Sequence, residues 1–178
     1  MANFDEAYRL TGHNEGGYSN NPDDSGGETY CGISRNNWPE WGGWPTIDRF
    51  KGEPKFVSIV NSSQTLQTLV ASFYKQNFWD VLKLDQINDQ QIANAVYDFG
   101  VNSGTGQSAK FLERAAGTTV DGQIGNMTIA AVNSGDAETI YNSFNQQRHA
   151  FYEALATHPG QGQFLASWLS RLKPYQTT

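Results

Sequence analysis

Several residue types are scarce in this chain, and each scarcity excludes something. Cys31 is the only cysteine, so no disulfide can close within the chain and the redox compartment stays open. Basic residues are few: 12 lysines and arginines face 18 acidic residues, for a net charge of −6. Such a chain gains nothing by neutralising phosphates, which argues against nucleic acid as a partner and against adhesion to an anionic membrane. Long apolar runs are missing, so no membrane anchor is expected. The opening MANFDEAYRL lacks the basic start and apolar core of a secretory signal. Synthesis in the cytoplasm is therefore expected, with a separate route of release for any action outside. His13, His149 and His158 are too scattered to ligate zinc. The Asn21–Glu28 stretch fails as a calcium loop, because its twelfth position falls on Gly32. No metal or cofactor is expected.

Aromatic residues make up 13 % of the chain and apolar residues 38 %, enough for a core in a domain of ordinary size. Asn3 with Glu6 has the form of a capping box, and Phe4, Ala7, Tyr8 and Thr11 share one face of a helix running to about Asn14. Ser63 and Asp89 open further amphipathic helices, the first carrying Leu66, Leu69, Val70 and Phe73, the second Ile92, Ala93, Val96 and Phe99. Helices near 105–116, 126–135, 136–157 and 163–172 complete the pattern. Trp38, Trp41 and Trp44 lie in a Gly- and Pro-rich region of loop or short helix. With Trp79 they read as staples to the core rather than as ligands.

The chain is organised around residues 13–34, HNEGGYSNNPDDSGGETYCGIS. Glu15 ends the first helical pattern. Gly16-Gly17 and Gly26-Gly27 then permit two sharp bends, so Tyr18-Ser19-Asn20 and Glu28-Thr29-Tyr30 read as a small hairpin folded back on the helix end. That fold would bring Asp24 or Thr29 near the Glu15 carboxyl. At the negative end of the helix dipole a carboxyl is nudged towards its protonated form, which suits a proton donor. Glycoside hydrolysis needs such an acid, with a second group placing water across the sugar. Against this, Asp24 also fits an Asx turn before Gly26, and Thr29 fits hairpin packing. Tyr97 and Asn102 sit at a later helix end; the tyrosine, beside Val96 and Phe99, reads more readily as core, and the asparagine reads equally as a helix cap.

The same run resembles the opening signature of the glycoside hydrolase family 108 muramidases, E-G-G-Y-x-N-x-P-x-D-x-G-G-x-T-x-x-G-I. Every fixed position is present: Glu15, Gly16, Gly17, Tyr18, Asn20, Pro22, Asp24, Gly26, Gly27, Thr29, Gly32 and Ile33. Tyr97 to Gly104 resembles the family's D-F-A-V-N-S-G helix end. Val120 to Gly125, with the segment that follows, is similar to its peptidoglycan-binding region. Departures fall at Cys31, where a basic residue is common, and in the tryptophan-rich stretch. The Glu-Asp-Thr spacing is also similar to that of the T-even phage lysozymes.

The resemblance implies a mainly α, lysozyme-like fold with a small β-hairpin after the first helix. It implies a catalytic region over 1–104 and a helical peptidoglycan-binding-like region over 105–178, packed as one compact unit. The implied activity is cleavage of the β-1,4 bond between N-acetylmuramic acid and N-acetylglucosamine. Glu15 would be the general acid, Asp24 and Thr29 would position water, and Tyr18, Tyr30, Tyr97 and Asn102 would bind the glycan strand. A lytic transglycosylase using Glu15 alone, or a non-catalytic wall-binding module, are the alternatives. A monomer acting on the periplasmic or outer wall is expected, exported by a holin or a secretion partner.

Overall fold

The computed structural model describes residues 1–12, 16–20 and 27–177. The chain divides into two compact units. One runs from Tyr8 to Asn77; the other joins Met1–Ala7 to the chain from Phe78 onward.

The first helix, α1 (Phe4–Thr11), begins as its sequence dictates. The Asn3 side chain accepts hydrogen bonds from the backbone N–H groups of Asp5 at 2.8 Å and Glu6 at 3.3 Å. Glu6 does not close the reciprocal half of a capping box; its carboxylate instead accepts from the Asn94 amide at 3.2 Å. The helix ends earlier than the apolar pattern suggests, because Gly12 takes the left-handed φ of 74° that terminates helices.

In the Tyr8–Asn77 unit a three-stranded antiparallel sheet comes first: β1 (Tyr18–Asn20), β2 (Glu28–Tyr30) and β3 (Ile33–Ser34), in that order. The expected hairpin is present, with Tyr18 opposite Tyr30, Ser19 opposite Thr29 and Asn20 opposite Glu28. The third strand is an addition to it. Cys31 (φ 46°) and Gly32 (φ 79°) make a two-residue turn, with positive φ at both positions, that pairs Tyr30 with Ile33. Two short helices follow, α2 (Trp44–Phe50) and α3 (Phe56–Asn61), then α4 (Gln64–Tyr74). Ser63 caps α4 by accepting from the N–H of Leu66 at 3.4 Å. The core of this unit includes Tyr30, Ile33, Trp44, Ile47, Val60, Leu66 and Val70. Trp41 stacks on Tyr30 and meets Trp44 edge to face.

A π-helical turn, Lys75–Trp79, continues α4. The other unit is built from α5 (Gln90–Ser103), α6 (Thr105–Ala115), α7 (Asn126–Ser134), α8 (Ala137–Ala156) and α9 (Leu165–Leu169). Asp89 and Asp136 cap α5 and α8, each accepting at 2.8 Å from the N–H three residues on. Phe99 is the centre of this core, ringed by Phe111, Phe144, Phe151 and Tyr152 at centroid distances of 5.0 to 6.0 Å. Ser108 on α6 donates to the Val96 carbonyl on α5 at 2.7 Å, which fixes those two helices together. At the end of α6 the buried Glu113 carboxylate accepts from the N–H groups of Gly122 and Gln123, holding the Val120–Gly125 turn. No helix among the described residues is long and apolar enough to cross a membrane.

Candidate active site

Glu15 and Asp24 lie outside the described residues, and so does His13. What the structure describes is the frame on either side of them. Asn20 and Glu28 face each other across β1 and β2, so the two ends of the intervening segment, which carries Asp24, are held one rung apart. Three features anchor that frame. The Asn61 side chain accepts from the Tyr18 N–H at 2.9 Å. The Gly17 carbonyl accepts from the Cys31 N–H at 3.3 Å. Gly17 leaves room for the Asn61 contact, since a Cβ there would come within 2.4 Å of the Asn61 amide and push it off the Tyr18 N–H.

Side chains alternate between the faces of a strand, and the register therefore sorts the predicted residues. Thr29 lies on one face in a row of hydroxyls, between its cross-strand neighbours Ser19 and Ser34. It is half-buried, and its hydroxyl donates to the Gly27 carbonyl at 3.2 Å. Tyr18, Glu28 and Tyr30 occupy the opposite face, so the strand does not bring the two tyrosines to Thr29. Tyr30 is wholly buried; its hydroxyl donates to the Val60 carbonyl at 2.8 Å, and burial pushes its pKa up to about 12. Tyr18 is half-buried, packed edge to face on Phe56. Its pKa is raised, by burial first and then by hydrogen bonding to Glu28.

That hydrogen bond leads to a charged cluster that sequence reasoning missed. Arg35 reaches Glu28 at 2.7 Å and grips Asp48 with both guanidinium nitrogens, while Lys51 lies 2.8 Å from each carboxylate. Burial alone would raise the Glu28 carboxyl, but hydrogen bonds from Lys51, Arg35 and Tyr18 outweigh it and hold the pKa below its ordinary value. Arg35 also lies over the Trp44 ring at 5.0 Å. These partners come from separate stretches of chain, with no fixed spacing to reveal them.

Cys31, the departure within the motif, is buried and free. Burial pushes its thiol up, against hydrogen bonds with Gln67 and Tyr30. It is a packing residue in a turn rather than a nucleophile.

In the other unit, Tyr97 is wholly buried, edge to face with Phe4 and Trp79. It offers no ring surface to a sugar. Asn102 is exposed on the last turn of α5, its amide donating to the Asp98 carbonyl at 2.7 Å. The Asp98 carboxylate in turn pairs with the buried Arg148 of α8 and with Arg171. No cluster of potential metal ligands occurs among the described residues.

Residues 8–104, more than half of the chain, match the family described as Glycosyl hydrolase 108. The chain belongs to that family. A second segment, residues 107–173, matches a family described as "Predicted Peptidoglycan domain". Among solved structures, SagA of Brucella abortus superposes with a TM-score of 0.69 at 29 % sequence identity, covering 95 % of this chain and 90 % of that one. No curated protein matches. This family 108 member is accordingly a glycoside hydrolase with a lysozyme-like, mainly helical fold, and peptidoglycan is its substrate.

Proposed function

We propose that this family 108 hydrolase is an N-acetylmuramidase, cleaving the β-1,4 bond between N-acetylmuramic acid and N-acetylglucosamine. The observation that carries the reading is the run from Glu15 to Ile33, in which every fixed position of the family signature is kept. Support also comes from the one-to-one pairing of β1 with β2, which ties both ends of the Asp24 segment. Glu15 protonates the glycosidic oxygen as the bond to the anomeric carbon breaks. Water held by Asp24 and Thr29 adds to that carbon from the opposite face, giving up its proton to the Asp24 carboxylate. Such a path needs carboxyls about 6.5 to 9.5 Å apart and inverts the anomeric centre.

Product analysis tests both the bond and the path. Wall digests should yield reducing N-acetylmuramic acid ends, released first as the α-anomer in early proton spectra. Anhydro-muramic ends would instead establish a transglycosylase, and reducing N-acetylglucosamine ends a different bond. Glu15→Gln should remove lysis of a wall suspension, by at least about a thousandfold on the scale of lost acid catalysis, with an unchanged circular dichroism spectrum. A Glu15→Gln protein that still clears the suspension would falsify the assignment.

A further inference from the structure

The loop 37–42 and one face of α4 enclose a cavity of about 500 Å³, within the size range of small-ligand sites. Leu69 and Phe73 reach it from α4 at helical spacing, and Gln76 from the π-helical turn that follows. Trp38 lines its other side. This indole is 40 % exposed, whereas Trp41, Trp44 and Trp79 are all 9 % exposed or less. Exposure here does not mean looseness. The Trp38 N–H donates to Ser34 at 2.9 Å, its carbonyl accepts from the Trp44 indole at 2.8 Å, and its ring stands edge to face on Phe73 at 4.9 Å. A fixed aromatic surface is thus presented to solvent.

Around it stand the side chains of Asn37, Glu40 and Gln76, all exposed, with no side-chain hydrogen bond or ion pair among the described residues. No lysine or arginine lines the cavity. A ligand here meets an apolar plate, one carboxylate, the Ser72 hydroxyl and three amides, of which Asn77 already donates to the Phe73 carbonyl while Asn37 and Gln76 are open to a ligand. A pyranose has a C–H face that suits the plate and hydroxyls that suit the amides and carboxylate. The carboxylate disfavours an acidic sugar, and nothing cationic offsets it.

We propose that this cavity is a subsite for a neutral N-acetylhexosamine unit of the glycan strand. Trp38 stacks on the sugar ring, and Asn37, Glu40 and Gln76 hydrogen-bond its hydroxyl and acetamido groups. The site rejects the carboxylate-bearing muramic unit. The proposal rests on the reading of the substrate as a peptidoglycan glycan, but its test requires no hydrolysis. Triacetylchitotriose is titrated into the Glu15→Gln protein while the Trp38 indole N–H is followed by NMR and the affinity by calorimetry. The Trp38 signal should move, with those of Trp44 and Trp79 still. Trp38→Ala should weaken binding at least tenfold, Trp38→Phe less, and Gln76→Ala or Glu40→Gln two- to fivefold without a change in Tm. In the active protein, Trp38→Ala should raise KM on soluble glycan fragments and leave kcat within about twofold. A stationary Trp38 signal, or undiminished affinity in both Trp38→Ala and Gln76→Ala, overturns the subsite. So does a muramyl dipeptide that binds at Trp38 more tightly than chitotriose. Anhydro-muramic ends in the wall digest would overturn the muramidase reading and leave this subsite standing.

Discussion

Glu28 shows how one side chain outside the expected set governs the frame of the site. Its carboxylate is only 11 % exposed and is held by Arg35, Lys51 and Tyr18. Glu28→Gln keeps the shape and removes the charge, leaving two cations that remain partly solvated. A loss of about 1 to 3 kcal/mol is expected, below the cost of a fully buried broken pair. The sign of its pH dependence follows from the depressed carboxyl pKa. The contribution is complete above the ordinary value near 4.5 and is lost as pH falls through the lower folded value. The Tm gap between wild type and Glu28→Gln should therefore be widest near pH 7 and narrow steadily as pH falls below the ordinary value near 4.5. A gap that stays constant on acidification would show that Glu28 acts by packing and not by charge.

At the scale of elements, the β2–β3 turn is the most demanding piece of backbone. Gly32 sits at φ 79°, and a Cβ there would lie 2.6 Å from the Tyr74 hydroxyl, which donates to the Cys31 carbonyl at 2.9 Å. Tyr74 is buried and cannot swing aside. Gly32→Ala should cost about 2 to 4 kcal/mol in urea unfolding, from left-handed strain and a displaced hydrogen bond. Tyr74→Phe should cost about 1 kcal/mol alone, and the pair should cost less than the sum, because the clash goes with the hydroxyl. Strict additivity would count against the clash. This turn also marks where sequence reading stops. The hairpin of β1 and β2 was legible from two glycine pairs bracketing polar residues, and α4, α5 and α8 from their caps and apolar spacing. Cys31-Gly32 is a weak turn signal beside Asn-Gly, because cysteine seldom takes positive φ, so β3 went unseen. Within the site, the face on which Thr29 lies depends on register, and register is set by pairing between strands that no local pattern records. Tyr97 already leans towards core beside Val96 and Phe99, whereas Tyr30 as a letter fits stacking and packing alike; burial places both in the core.

For the molecule as a whole, the matched families meet between residues 104 and 107, while the compact units part between Asn77 and Phe78. The helices on either side of Gly104 share one core. Phe99, before the family boundary, fills the space between Phe111, Phe144, Phe151 and Tyr152, all after it, and Arg148 reaches back to Asp98. A fragment of residues 105–178 would leave four aromatic rings around a vacancy and a guanidinium without its carboxylate. It should bind the dye ANS and show no cooperative melt, whereas the full-length protein should melt cooperatively. A sharp melt of that fragment would show its core to be self-sufficient. Anyone grafting the segment that matches the peptidoglycan family onto another hydrolase should therefore cut ahead of α5 and carry Phe99 along. The seam that is convenient for shuffling sequences is not one along which this protein comes apart.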